Sequence, residues 1–310
     1  MEAIPKNPII QHEPNTLEQV RKIFNLDKPG QMDESIDILQ EWVKKQPHFN
    51  KKDFDRAYLE GYIIRAKGSV EKAKKRLESM CTLRTVFSHL FKDNKPNQMK
   101  NIEAIKEFMF PKQTKDYCTV YFSKLCEPNV DDSFILSFFT KAEYIVDFLS
   151  KYDYNAGIIY VIDMTEADLL KYITIMASPF VRQSFTIFFK AYGARIRAVN
   201  LITKSKLIEN FLTLLKPLLG DKVDRIFVHT TRDSLYEQIE KDMWPAEYGG
   251  KEESIDVLSK RMIDFLSSDE MKNYRDELNK GTVDTKIKPI AEEYDTHLGI
   301  PGSFRKIAVD

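Results

Sequence analysis

A surplus of charge of either sign is missing from this chain. Its 310 residues hold 47 Lys and Arg against 47 Asp and Glu. A general nucleic-acid binder neutralises phosphates with excess Lys and Arg, so no nucleic-acid partner is expected, although a local basic face stays possible. The three cysteines, Cys81, Cys118 and Cys126, form no C-x-x-C pair and are odd in number. That argues against a disulfide framework and fits a reducing compartment. The histidines His12, His48, His89, His229 and His297 show no H-E-x-x-H spacing and stand near no cysteine pair, so no metal is expected. No G-x-S-x-G elbow occurs, and 11 glycines leave little for a phosphate loop. No apolar run approaches the roughly 18 residues of a membrane span. The start, Met1 to Lys6, has no apolar signal region, and no N-x-S/T sequon occurs. The expectation is a cytoplasmic protein without catalytic activity or cofactor, touching membranes only transiently and peripherally.

What is present falls into zones. Residues 1–30 are rich in Pro, Asn and charge and read as a flexible arm. Asp33 reads as the cap of a helix with Ile36, Leu39, Trp42 and Val43 on one face, stopped by Pro47. A second helix is expected from Asp53 to Arg65 and a third after Ser69, with Ala73, Leu77 and Met80 at helical spacing. Residues 31–93 thus form a small helical domain, ending in the polar run Lys92 to Asn97.

Beyond it the texture becomes α/β. Strands are expected at Tyr117–Ser123, Gly157–Ile162, Ile196–Ile202 and Val223–His229. Helices are expected at Asp131–Lys151, within Glu166–Lys190, and at Leu207–Leu219. Such alternation predicts a largely parallel sheet over residues 94–252. One charged helix, Ser254 to Asn279, would open a C-terminal segment spanning 253–310.

The candidate chemistry is thin. Asp163, Glu166 and Asp168 follow a strand end, where helix capping competes with acid–base work. His229 closes a strand, and no partner that would orient it as a base is visible in the sequence. The helix Leu207 to Leu219 carries Leu207, Ile208, Phe211, Leu212, Leu214, Leu215 and Leu218 over more than half its circumference. Such a helix is either buried on all sides or a lid over an apolar cavity. Four cations flank it. Arg195 and Arg197 alternate onto one face of a strand, and Lys222 and Arg225 follow the apolar helix. The bland reading of this patch is a solvated strand edge. The other is a grip on an anionic leaflet, where each cation contributes about 1 kcal/mol. A Phe-dense layer nominates a cavity lining of Phe134, Phe138, Ile159, Val161, Phe180, Phe185, Phe188, Phe211 and Leu215.

Several blocks together resemble the CRAL-TRIO (Sec14-like) lipid carriers. These are Ile64 to Lys74; Leu83-Arg84-Thr85, with Cys81 where an aromatic is usual; and Leu215-Lys216-Pro217-Leu218-Leu219. Asp224 to His229 follows, then Pro245 with Glu247-Tyr248-Gly249-Gly250. The ending Gly302 to Lys306 is similar to insect members of the α-tocopherol-transfer-protein-like subgroup. The chain departs from the pattern at Asp163-Met164-Thr165-Glu166, Tyr192-Gly193, Thr203-Lys204-Ser205 and His229-Thr230. The resemblance implies a helical N-terminal domain and an α/β cage holding one hydrophobic ligand under a gate helix, Leu207 to Leu219. It also implies phosphoinositide binding by Arg195, Arg197, Lys222 and Arg225. The expected function is binding and transfer of a tocopherol- or retinoid-like lipid by a monomer, with release at phosphoinositide membranes. A phosphatidylinositol or other phospholipid carrier, or a non-transferring scaffold, are the alternatives.

Overall fold

A computed structural model describes residues 3–88, 95–99, 102–126 and 132–289. Four helices come first: α1 (Thr16–Ile23), α2 (Gln31–Lys45), α3 (Arg56–Arg65) and α4 (Val70–Val86). Local chemistry sets their starts. Asp55 accepts the Ala57 and Tyr58 amides at α3, and Ser69 accepts the Lys72 amide at α4. Asp33 does not cap α2, which begins after left-handed Gly30 and leaves Asp33 in its first turn. Ile36, Leu39 and Val43 of α2 are fully buried, as their spacing predicts.

The expected flexible arm is instead packed. Ile9, Ile10, Val20 and Leu26 are buried. The Gln11 amide donates to Pro111 O at 2.7 Å, and His12 Nε2 donates to Tyr152 O at 2.8 Å. Isolated apolar residues among prolines gave no periodic signal for this.

Five strands follow in spatial order β1 to β5: β1 (Ile105–Met109), β2 (Cys118–Leu125), β3 (Gly157–Asp163), β4 (Ile196–Ile202) and β5 (Ile226–His229). β1 runs antiparallel to β2 and the other pairs are parallel. β1 was not expected, because Lys106-Glu107 interrupts its apolar run. β5 is shorter than expected, since residues up to Arg225 form a 3-10 turn. Between the strands lie α5 (Asp132–Tyr152), α6 (Leu169–Ala177), α7 (Pro179–Tyr192) and α8 (Ile208–Leu219). Pro179 separates α6 from α7, where a proline suits the first helical position. The single C-terminal helix is two, α9 (Ile255–Leu266) and α10 (Asp269–Asn279), because Ser268 caps a new start by accepting the Met271 amide.

One face of the sheet is covered by an aromatic layer. Phe108 and Phe122 have ring centroids 4.9 Å apart, Phe110 and Trp244 5.2 Å, and Phe122 and Tyr248 5.4 Å. The turn Pro245 to Gly250 places Trp244 and Tyr248 here. Gly249 has φ 75°, and a Cβ on Gly250 would overlap the Trp244 carbonyl. Gly250→Ala should therefore lower unfolding stability by about 1–3 kcal/mol, the usual range for overpacking. An unchanged urea midpoint would show that the turn has slack.

The helical unit joins the body through buried charge. Asp147 of α5 accepts from Arg84 Nη2 of α4 at 2.9 Å and from Arg275 Nε of α10 at 3.0 Å. Arg84 Nη1 also donates to the Tyr58 hydroxyl at 3.1 Å. Glu143 lies one turn from Asp147. Burial, and then the Asp147 charge, push its carboxyl up to about 8. An unfolded glutamate titrates near ~4.3. Between those values the folded state holds a proton that the unfolded chain has released. Stability therefore falls as pH rises through that window and levels off above about 8. Glu143→Gln should flatten this slope in denaturant titrations across pH and leave the acid end unchanged. A slope equal to that of the parent protein would contradict the assignment.

A candidate lipid-binding cavity

The sheet face away from the aromatic layer borders a cavity of about 250 Å³. A single water needs roughly 10–15 Å³ of such space. Phe134, Phe138, Phe139, Ala142, Ile145, Val146 and Leu149 of α5 form one wall. Phe185 and Phe189 of α7, Tyr172 and Met176 of α6, and Phe211 of α8 close it. The floor is Ile158, Tyr160 and Ile162 of β3, with neighbours from β1, β2 and β4. Lining residues are almost all apolar, and none of those described is Lys, Arg or His.

Of the nominated lining, Phe134, Phe138, Phe185 and Phe211 meet in this cavity. Ile159 and Val161 do not line it. They are buried on the opposite face, because strand side chains alternate and β3 presents its even-numbered residues to the cavity. The side chains of Phe180, Phe188 and Leu215 lie outside the described residues. Sequence reasoning missed Tyr160, Tyr121 and Glu107. An aromatic hydroxyl inside an apolar strand was the available signal for the first. Glu107 sits in the strand that was not expected.

Glu107 is held by an ion pair. Lys141 Nζ of α5 lies 2.6 Å from its Oε2, and the Tyr121 hydroxyl donates to its Oε1 at 2.6 Å. Lys141 also donates to the Ile105 carbonyl at 3.1 Å. The carboxylate is thus neutralised beside an apolar space, as a buried charge requires.

α8 is a surface helix, not one buried on all sides. Glu209, Thr213 and Lys216 form an exposed polar stripe, while Phe211 is buried and Ile208, Leu212 and Leu214 are partly buried. α8 packs on α6 and α7. Leu207 precedes the helix and is 37% exposed. The Leu218 side chain lies outside the described residues.

The cations gather beside β4. Arg195, just before the strand, is half-buried; its Nη1 donates to Ala156 O at 2.9 Å, and its guanidinium covers the Phe24 ring. Arg197 is exposed at a register shift. Ile158 pairs with Ile196 and Ile159 with Ala198, so Arg197 is the extra residue of a bulge. Arg225 is exposed and donates to the Ile196 carbonyl. Burial, and then the nearby charges of Arg197 and Arg225, hold the Arg195 guanidinium below its ordinary value. None of these three arginines makes an ion pair among the described residues. The Lys222 side chain lies outside them.

The acidic candidates have structural work. Asp168 caps α6 by accepting the Leu170 amide. Asp163 accepts from Thr165 and from the Tyr248 hydroxyl, and Glu166 pairs with Lys124 at 2.6 Å. His229 Nε2 donates to Asn200 Oδ1 at 2.9 Å, which leaves Nδ1 to accept from Ser234 Oγ at 2.7 Å. None of these four lines the apolar cavity. Among the described residues no group of three or more His, Cys, Asp or Glu is placed to hold a metal. None of the described helices is long and apolar enough to cross a membrane.

Comparison with known proteins agrees with this geometry. Residues 104–250 match the CRAL/TRIO domain, and residues 28–101 match a Pinta-like UBA domain. The chain carries a CRAL-TRIO domain. Proteins with this domain bind lipids, and the cavity lies within the matched span. Over 256 residues this CRAL-TRIO chain is 22% identical to a Mus musculus protein described as alpha-tocopherol transfer protein-like, covering 79% of the chain and 72% of the relative. The comparison does not carry the insect subgroup, and Gly302 to Lys306 lies outside the described residues.

Ala142 keeps accessible surface and lines the cavity from the middle of α5. Ala142→Phe should fill space there. Uptake of fluorescent lipophiles should weaken at least tenfold, while thermal stability of the lipid-free protein holds or rises. Undiminished uptake would place the ligand elsewhere.

Proposed function

We propose that the protein binds one small hydrophobic lipid, of tocopherol or retinoid type, in this cavity and delivers it to membranes bearing phosphoinositides. The observation that carries the reading is the large apolar-walled cavity. Residual cavities destabilise a fold by about 24 cal/mol per Å³. A dry void of about 250 Å³ would on that scale cost about 6 kcal/mol, against total stabilities of about 5–15 kcal/mol. A ligand that fills it removes much of that penalty and adds its own burial, about 25 cal/mol per Å². The mouse relative's description, alpha-tocopherol transfer protein-like, favours a compact lipophile as occupant.

Arg195, Arg197, Lys222 and Arg225 are assigned to the anionic headgroup. Arginines without carboxylate partners offer divergent N–H donors to phosphate. Arg225 bonds the carbonyl of Ile196 in β4, a residue that lines the cavity, and Arg195 bonds the Ala156 carbonyl just ahead of β3. Headgroup contact can favour release only through its difference in affinity for the closed and open forms of α8.

The test compares transfer to neutral and phosphoinositide liposomes for the parent protein and for a variant with Ala at all four positions. The parent should deliver several-fold faster to phosphoinositide liposomes, and less so as salt rises. The variant should lose that acceleration while keeping its affinity for ligand in solution. Equal rates in all four combinations would leave the patch a solvated edge. No saturable uptake of any lipophile would remove the carrier reading.

A further inference from the structure

The cavity floor is not uniformly apolar, and its polar groups are contiguous. Strand register makes Glu107 the partner of Ser123, and Tyr121 the partner of Tyr160. Ser123 and Tyr121 are two apart on β2 and share a face. Glu107, Ser123, Tyr121 and Tyr160 thus form a rail across three strands, all lining the cavity.

The members of this rail differ in what they have left to offer. Glu107 is ion-paired to Lys141 and accepts from Tyr121. The Tyr121 hydroxyl already donates its hydrogen bond to Glu107. Tyr160 makes no hydrogen bond among the described residues, yet it stands in the central strand and keeps accessible surface towards the cavity it lines. Its ring meets that of Tyr121 edge-on at 5.7 Å. Tyr192 also lines the cavity but is buried, with its ring against Arg65. A hydroxyl facing an apolar space without a partner is unfavourable, and an occupant with a matching group relieves it.

We infer that Tyr160 reads a single uncharged hydrogen-bonding group on the ligand, so that the cavity selects a lipophilic alcohol and rejects the carboxylic acid of the same chain. The inference rests on the carrier reading above and narrows it. The rejection follows from electrostatics. A carboxylate brought here finds no cation among the described lining residues, and Lys141 is already committed to Glu107 and the Ile105 carbonyl. It would also approach the Glu107 charge in a low-dielectric space. Burial keeps the Tyr160 phenol neutral by pushing its titration upward. It therefore presents both a donor and an acceptor.

The experiment titrates lipid-free protein with hexadecanol, hexadecyl methyl ether, hexadecane and palmitate, by competition against a fluorescent lipophile at neutral pH. Parent protein should bind hexadecanol about tenfold or more tighter than hexadecane and than palmitate, with the ether between alcohol and alkane. Tyr160→Phe keeps the ring and removes the hydroxyl. It should reduce the alcohol-over-alkane ratio to about threefold or less without weakening hexadecane. Palmitate binding as tightly as hexadecanol, or a ratio unchanged in Tyr160→Phe, overturns the inference and leaves the carrier reading standing. No saturable competition by any of the four removes both.

Discussion

One carboxylate, Asp147, organises this molecule. It is completely buried and bonded to two arginines, one from the N-terminal helical unit and one from the C-terminal helix pair. Removing one partner of such an arrangement typically destabilises by about 3–5 kcal/mol, because charge is left buried and unmatched. The bonds are also directional. Asp147 is two residues beyond Ile145, about 200° around the helix, so the clamp grips α5 from the side opposite the cavity. Apolar packing alone tolerates sliding and rotation. Two short hydrogen bonds at fixed angles do not, and α5 cannot settle inward to fill the space in front of it.

That restraint explains how the chain can keep a large apolar void at all. Folding normally eliminates such space, since lining atoms without neighbours forfeit dispersion contacts. Here the far wall is a sheet braced from behind by Trp244, Tyr248 and the phenylalanines of β1 and β2. The near wall is α5, braced from behind by charge. α6, α7 and α8 close the remainder and carry no comparable buried charge network among the described residues. The molecule is thus stiffest on both sides of the cavity and most adaptable over its cover.

Much of this was legible in the residues. The apolar stripe of α5 and the parallel strands emerge from periodicity, because period 3.6 and continuous β-branched runs are local signals. Ile64 to Lys74 and Pro245 to Gly250 carried the family resemblance. What failed was non-local. A five-residue strand containing Lys-Glu has no amphipathic signature until Lys141, far along the chain, neutralises the acid. The face of β3 that meets the cavity is a question of parity, which the near-uniform run Gly157 to Ile162 does not answer. Nor does any local pattern show that Ile9 and Ile10 find a home against the body. The basic cluster was found as four residues. That Arg195 is half withdrawn while Arg197 stands out is a property of the paired strands.

The bulge at Arg197 carries a consequence for how such a chain can change over time. Because one residue is looped out, Ile196 and Val199 both reach the cavity although they are three apart, and the cation between them is displaced outward. Interior and exterior functions are therefore written in one short frame. Substitutions there are separable: a smaller residue at 199 alters the inside alone, and a neutral one at 197 the outside alone. A change of register is not. Pairing without the bulge, at unchanged length, would turn Val199 away from the cavity and draw the cation back into the ladder in one step. Inside and outside are free to drift separately only while the bulge holds.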